Sequence, residues 1–383
     1  TNSRLDVVNN YHARMLGSAV IAAENPHLEY VQIVSFGCGH DAYLSDEIIR
    51  LMKQVSGKIP LVLKLDESEI QGPLRIRVRS FIETVRMQRE KHEEAPVHAL
   101  TDPYPVKYEK KDRKERFVLI PNTSHAFCRV MSAAMEKQGL AALKSGKYDG
   151  KDVAIATGKY IGDCRLTHYS ALLRKALDDA GFSDVPILTN DDADFHNLHP
   201  GFRLNLLSAL RIAYALPMID ILEELLRKIR PYELTKGSAD AAFEQAMDAV
   251  INGLSRHGVN GAKHGFAKAI GIMKQVPYDR SHPRPTVLIV GEYLLNFHPG
   301  ANHDIEAFLE QNGFEIIEAR MSDVIQKSYF YRDMQVREYH LHKPLQEKLW
   351  YRMADLFFDL AHDAADKIAS AHPLYDRPAV RLP

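Results

Sequence analysis

The amino-acid sequence predicts an α/β fold in which short parallel strands alternate with helices. Two apolar runs rich in β-branched residues, YVQIVSF at 30–36 and IPLVLKL at 59–65, have the length of buried strands. A stretch with helical periodicity follows each run. The order strand, helix, strand, helix places crossover helices between parallel strands, so we expect parallel sheets.

The first predicted helix begins at Ser45, which has the chemistry of an N-cap residue. Its apolar positions recur with the period of a helix at Ile48, Ile49, Leu51 and Met52. Residues 74–90 form a second, basic helix after the strand at 59–65.

The rest of the chain repeats this alternation and adds long helices. Predicted strands are FVLIPN (117–122), VAIAT (153–157), VPILT (185–189), TVLIVGE (286–292) and FEIIEA (314–319). One predicted helix follows FVLIPN and ends near residue 138. Further predicted helices cover 164–180, 203–275, 302–312, 320–330 and 335–370. We expect the helical region 203–275 to break at PYEL (231–234) and near Gly258, where His257 and Asn260 flank a turn.

These elements group into two α/β lobes joined by a polar linker. The first lobe covers 1–95, a linker with three prolines covers 96–114, and the second lobe covers 115–330 with a helical insertion at 203–275. A helical C-terminal extension follows at 331–383. Because the chain starts without Met, we expect sequence to be missing before Thr1. The chain also runs abruptly from Gly139 towards VAIAT, so either this lobe is trimmed or a segment near 139–145 is missing.

Composition narrows the class of protein. Hydrophobic residues make up 45% of the chain, charged residues 26%, and the formal net charge is −1, as in ordinary globular proteins. This balance does not favour a nucleic-acid or anionic-membrane partner, and no apolar run approaches the length of a membrane span. Three cysteines without a CxxC motif indicate a reducing compartment, so we expect a cytoplasmic protein.

Each cysteine follows a predicted strand, where sites of open parallel sheets form. Cys38 follows YVQIVSF, Cys164 follows VAIAT, and Cys128 lies early in the helix after FVLIP. Helix N-termini lower thiol pKa values, and thiolates are the ligands of iron–sulfur clusters. Cys38 lies in the first predicted lobe, and Cys128 and Cys164 lie in the second. A site that uses all three would therefore lie in the cleft between the lobes. The alternative is that a buried cysteine only packs; Gly37 and Gly39 argue against this at Cys38, because glycine lets backbone approach a ligand.

Three segments of the chain carry a resemblance to a known family. SFGCGHDAYLSDEI, GKYIGDCRLTHYSALLRKALDDAGFSDVPIL and GEYLLNFHPGANHDIEAFLEQNGFEII resemble, in order, elements of the C-terminal region of acyl-CoA dehydratase activase-like proteins. The resemblance covers most of 30–330 and extends to the 2-hydroxyacyl-CoA dehydratases. It implies two Rossmann-like lobes and a cysteine-ligated iron–sulfur cluster, either [4Fe–4S] or of the double-cubane type. In the related dehydratases an ATP-dependent activase supplies an electron, the cluster passes it to an acyl-CoA thioester, and water leaves the 2-hydroxyacyl group.

The chain departs from the family pattern in two places. A Cys-Tyr-Pro element that usually precedes the Cys-Arg element is absent, so Cys128 or a ligand outside this sequence would complete the set. The ATPase domain of the long activases is also absent, since no GxxxxGK[ST] loop occurs.

Further candidates surround the cysteines. Glu292 and His168 are candidate catalytic acids or bases, and Arg165 could offset the charge of a cluster. Structural roles are the alternative for each of them. His125 near Cys128 is a weaker candidate, and a basic face formed by Arg75, Arg77 and Arg79 could hold CoA phosphates or simply be solvated.

Three interpretations follow from the sequence. The first is a redox protein with an iron–sulfur cluster that receives electrons from an activase, acts on an acyl-CoA or related small substrate, and is a dimer. The second is a cluster-free module that binds CoA or a nucleotide. The third is a structural segment of a larger activase.

Overall fold

A computed structural model describes most of the chain and shows a mixed α/β protein with short parallel strand pairs. It describes residues 3–5, 10–35, 40–65, 71–90, 96–119, 124–135, 150–157, 168–189, 199, 201–202, 206–291, 293–326, 334, 337 and 345–377. The chain forms two compact units. The first comprises Thr1–Lys110 with Tyr148–Gly201, and the second comprises Lys111–Lys147 with Phe202–Pro383.

From residue 30 onward the described helices and strands follow the predicted order, whereas the helices Asn10–Glu24 and Asp112–Glu115 were not predicted. The main helices are α1 (Asn10–Glu24), α2 (His40–Ser56), α3 (Gln71–Glu90), α4 (Asp112–Glu115), α5 (His125–Met135), α6 (Tyr169–Asp179), α7 (Leu206–Ile229), α8 (Ser238–Lys274), α9 (Tyr293–Phe297), α10 (Pro299–Asn302), α11 (Ile305–Gln311) and α12 (Leu345–Ala369). The strands are β1 (Val31–Ser35), β2 (Leu61–Leu65), β3 (Phe117–Leu119), β4 (Val153–Ala156), β5 (Ile187–Leu188), β6 (Thr286–Leu288) and β7 (Glu315–Ile317).

Parallel pairing of neighbouring strands is confirmed in both units. In the first unit β1 pairs with β2, with Val31 opposite Leu61, and β4 pairs with β5, with Ile155 opposite Ile187. In the second unit β6 pairs with β7. In each of these pairs a helix lies between the strands along the chain, as a parallel connection requires.

The core of the first unit lies among α1, α2 and α6. Ile48, Leu51 and Met52 on α2 are fully buried, as their helical spacing predicted, and they join a cluster that includes Leu16 of α1 and Ala171 of α6. Burial of each large side chain contributes about 1.5–3 kcal/mol to folding. This cluster fixes α6 beside α1 and α2.

The predicted start of α2 at Ser45 is wrong. The helix begins at His40, with Asp41 in its first turn, and the Ser45 hydroxyl donates to the Asp41 carbonyl at 2.7 Å inside the helix. The first turn of α2 is polar, and apolar residues with helical spacing begin only at Leu44. The sequence pattern therefore placed the start of this helix too late.

The core of the second unit is helical. Leu222 and Leu225 of α7, Val250 and Phe266 of α8, and residues of α5 and α12 form one cluster. The region 203–275, expected as an insertion, therefore supplies much of this unit's core. Its predicted breaks are confirmed, since α7 ends at Ile229 before a short 3₁₀ turn and α8 bends sharply at Gly258.

Glycines make the bend in α8 a tight helical hairpin. Gly258 adopts φ 62° and ψ −142°, a conformation that side-chain-bearing residues rarely reach. The two arms of α8 touch through backbone: a Cβ on Gly253 would lie 2.2 Å from the Gly261 carbonyl oxygen, and one on Gly265 would lie 2.2 Å from the Ala249 carbonyl oxygen. Only glycine fits at these crossings.

A buried carboxylate ties α7 to the helical residues 321–326 of the second unit. Asp220 accepts hydrogen bonds from the backbone N–H groups of Met321 and Ser322, both at 2.9 Å. Burial raises the pKa of Asp220 to about 6 and that of nearby Glu223 to about 7. Asp220 satisfies the first N–H groups of a helix, which is a structural role.

The division into units differs in one respect from the predicted lobes. The boundary at Lys110 falls inside the predicted linker 96–114, but residues 148–201 belong to the first unit. The reason is the long-range packing of α6 against α1 and α2. Within the described helices, none is both long and apolar enough to cross a membrane.

Candidate functional site

Most of the predicted site residues fall outside the part of the chain that the structure describes. These are Gly37, Cys38, Gly39, Cys164, Arg165 and Glu292. Their assignments therefore stay predictions. The described elements that flank them, together with Cys128 and His168, define the geometry available for a site.

Two helices that follow the cysteine-bearing loops contact each other in the first unit. α2 begins two residues after Cys38, and α6 begins five residues after Cys164. The rings of Tyr43, in the first turn of α2, and His168, at the N-cap position of α6, lie 5.4 Å apart between centroids. The N-terminal ends of α2 and α6 are therefore neighbours.

A third ring completes a buried cluster at these helix ends. The imidazole of His12, near the start of α1, lies 6.4 Å from that of His168 in an edge-on arrangement. His12 is 5% exposed and His168 is 2% exposed. Sequence reasoning missed His12 and Tyr43, because nothing in the local pattern relates the start of α1 to the starts of α2 and α6.

His168 is placed to hold a neighbouring group in position. Its backbone has φ −102° and ψ −2°, and its side chain makes no capping hydrogen bond to α6. The ring instead contacts Tyr43 and His12. A catalytic role for His168 stays a prediction, and its burial favours a positioning role over direct contact with a substrate.

Arg4 links α2 and α6 beyond these N-terminal ends. The Arg4 backbone N–H donates to Glu47 of α2 at 2.7 Å, while the Arg4 guanidinium lies 3.9 Å from Asp178 of α6. Arg174, 1% exposed, then anchors the end of α6 by donating to Asp178 at 2.9 Å and to the Val185 carbonyl at 2.8 Å. Both helix N-termini thus lie at one end of this helix pair.

A polar cleft of about 490 Å³ lies at the opposite end of the pair, against the last turns of α2 and α6. Arg4, Arg50 and Lys53 line it together with Asp102 and Asp178. Arg50 also pairs with Glu47 at 2.8 Å. The cleft therefore carries cations that already face carboxylates.

Cys128 belongs to the second unit. It lies half-buried on α5, and its backbone N–H donates to the Ser124 carbonyl at 3.0 Å. Arg129 fastens α5 to α8 through Glu244 at 3.0 Å. The His125 side chain is 65% exposed, and its Nε2 lies 3.9 Å from Glu244 Oε1, so His125 is a surface residue. The elements flanking Cys38 and Cys164 lie in the first unit instead.

The three arginines of the predicted basic face on α3 are exposed, as expected for solvated charges, and a role in binding CoA phosphates stays a prediction. Arg75 and Arg79 share a face and Arg77 does not, because residues two apart on a helix point to different sides.

Comparisons with family models, curated proteins and solved structures found no match. Among the described residues, no three His, Cys, Asp or Glu side chains are grouped to hold a metal ion. Functional inference therefore rests on the resemblance of the quoted segments and on the geometry of the first unit.

Proposed function

We propose that this chain is an iron–sulfur redox protein related to the 2-hydroxyacyl-CoA dehydratases. Cys38 and Cys164 ligate the cluster from the first unit. The protein takes low-potential electrons from an ATP-dependent activase and uses them to reduce or dehydrate an acyl-CoA or related small substrate.

The contact between the N-terminal ends of α2 and α6 carries this proposal. Tyr43 lies five residues after Cys38, and His168 lies four residues after Cys164, so the contact between these two rings joins positions close in sequence to both cysteines. A helix N-terminus carries a positive partial charge that favours thiolates and an anionic cluster. Two such ends side by side suit a shared site.

The donor set fits such a group in part. Iron–sulfur clusters usually take four ligands, and the loops before α2 and α6 offer two thiolates. Cys128, a ligand of another kind or a second subunit completes the set. A bound cluster would supply one-electron chemistry. The chain's own residues would then hold it, with His168 fixing the start of α6 and Glu292 handling a proton near the substrate.

The finer features of the proposal follow from the resemblance. We propose that the two units are Rossmann-like lobes, which the alternation of strands and helices supports, and that α12 belongs to the helical C-terminal extension. We propose a cytoplasmic dimer whose partners are an activase and an acyl-CoA or other small substrate.

Single cysteine variants test the proposal. Cys38→Ser and Cys164→Ser, purified without oxygen, should each lose most of their iron and visible charge-transfer absorption, because serine replaces a thiolate ligand. Cys128→Ser is compared in parallel, and circular dichroism checks the fold of all three. Retention of wild-type iron and absorption by folded Cys38→Ser or Cys164→Ser would show that the cysteine only packs.

A cluster-free ligand-binding module is the second candidate, and the cleft beside α2 and α6 favours it. Arg4 and Arg50 already face carboxylates, but Lys53 forms no ion pair with a described residue and could hold a phosphate group while Asp102 receives polar groups. Equilibrium dialysis with CoA, comparing wild type with Lys53→Met, tests this. Equal binding by the two proteins would remove the cleft from consideration.

A further inference from the structure

Arg211 in the second unit is a buried cation without a counter-charge. It lies on α7, is 7% exposed, and its Nε is fully buried with no hydrogen-bond partner. No carboxylate among the described residues pairs with its guanidinium. An ionised group buried without a partner costs several kcal/mol, so such a group usually awaits a ligand or is otherwise compensated.

The guanidinium lies at the bend of α8. A Cβ on Gly258 would be 3.5 Å from Arg211 Nε and 3.7 Å from Nη2. The arm of α8 that starts after this bend runs to Lys274, so its first N–H groups lie beside the guanidinium. Three residues further along α7, the ring of Tyr214 lies 4.9 Å from Lys263 Nζ on the same arm of α8.

These two contacts show that α7 and the second arm of α8 are parallel. Arg211 lies beside Gly258 and Tyr214 beside Lys263, so both helices advance in the same direction. Their N-terminal ends, each with positive partial charge, therefore lie at one end of the unit. The first arm of α8 ends at the same bend, and its carbonyls could cap Arg211, but no such hydrogen bond forms.

The surrounding sequence contains only positive charge. Neither 201–219 nor 249–275 contains an aspartate or glutamate. Both segments contain cations, among them Arg211, Arg256, Lys263 and Lys268. The carboxylates of α7 begin only at Asp220, three turns away from the bend.

We propose that the bend of α8 is a binding site for a phosphate-type oxyanion, either free phosphate or the phosphate group of a small molecule. Arg211 donates to the oxyanion, and the first N–H groups of the second arm of α8 complete its coordination. Lys263 adds positive charge nearby. The site lies in the second unit and does not depend on the cluster proposed for the first.

Thermal unfolding with inorganic phosphate tests the site. At constant ionic strength, adjusted with chloride, phosphate at about ten times its Kd should raise the unfolding midpoint of the second unit by roughly 3–6 °C. Arg211→Met keeps the aliphatic stem and should abolish this shift. Arg129→Met, a matched change of an arginine in the same unit that already has carboxylate partners, should keep it.

Three results would overturn the proposal: no phosphate shift in wild type, an equal shift in Arg211→Met, or loss of the shift in Arg129→Met as well. If Arg211→Met does not fold, hydrogen exchange of the wild-type chain with and without phosphate tests the site instead. Phosphate should slow exchange in peptides covering 206–215 and 256–264, and unchanged exchange there would exclude the site. Repeating the titration with glycerol 3-phosphate distinguishes free phosphate from a phosphate monoester by which of the two binds more tightly.

Discussion

Gly261 in the α8 hairpin offers a sharp test of the packing. In Gly261→Ala the new methyl group would lie 2.1 Å from the Gly253 carbonyl oxygen and 2.7 Å from the His257 Cβ. Real Cβ atoms do not approach backbone so closely, so the arms of α8 must separate. Overpacking of this kind costs about 1–3 kcal/mol or more.

Gly271, further along the same arm, is the matched control. A Cβ there meets nothing within 4 Å. Gly271→Ala should therefore gain up to about 1 kcal/mol from the higher helix propensity of alanine. Gly261→Ala has the same propensity gain, so the two variants should differ in the free energy of unfolding by the overpacking cost alone, about 1–3 kcal/mol or more.

Urea unfolding followed by the fluorescence of Trp350, the single tryptophan, measures this difference in the second unit, because Trp350 lies on α12. The midpoint should move down for Gly261→Ala and slightly up for Gly271→Ala. Equal midpoints for the two variants would refute the backbone contact between the arms of α8.

Two further predictions concern buried polar groups. Burial lowers the pKa of His199 to about 4, so between pH 6.5 and 4 the unfolded chain takes up a proton that the folded chain does not. The free energy of unfolding of the first unit should therefore fall by up to about 3 kcal/mol over this range. Urea titrations at about pH 7 and about pH 4.5 measure this fall, and it should be smaller in His199→Gln. A wild-type pH slope in His199→Gln would assign the loss to other groups. Asp220→Ala removes the acceptor of the Met321 and Ser322 N–H groups and should cost about 2–4 kcal/mol, whereas Asp220→Asn keeps an acceptor and should cost less. Thermal unfolding of the two variants measures this, and equal losses would argue against the hydrogen bonds as the cause.

Local patterns predicted most of the elements of this fold. β-branched runs located β1, β2, β4 and β5, because β-branched residues favour extended backbone. Helical spacing located the buried face of α2, and the glycine-rich turn near His257 located the bend of α8. Each of these features depends on residues that are close together in the sequence.

Long-range packing lay beyond such patterns. Residues 148–201 follow the linker in sequence, yet α6 buries Ala171 in the core formed by α1 and α2. Periodicity shows that a helix has an apolar face but does not show which partner covers it. The same limitation hid the contact of Tyr43 with His168.

The candidate residues were predicted by motif and resemblance, and the structure adds their setting only in part. Cys38 and Cys164 precede helices that contact each other, whereas Cys128 lies in the other unit. Arg211 was missed because the sequence LSALRIAYALP gives no sign that its arginine is buried. The absence of acidic residues from 201–219 and 249–275 was the available signal.

Iron and acid-labile sulfide content is the most direct test of the proposed function. The wild-type chain and the double variant Cys38→Ser/Cys164→Ser would be purified without oxygen and analysed side by side. The proposal predicts at least about two iron atoms per chain, with sulfide in equal amount, in the wild type and almost none in the double variant. Iron in the wild type no higher than in the double variant, even after anaerobic reconstitution with iron and sulfide, would contradict it.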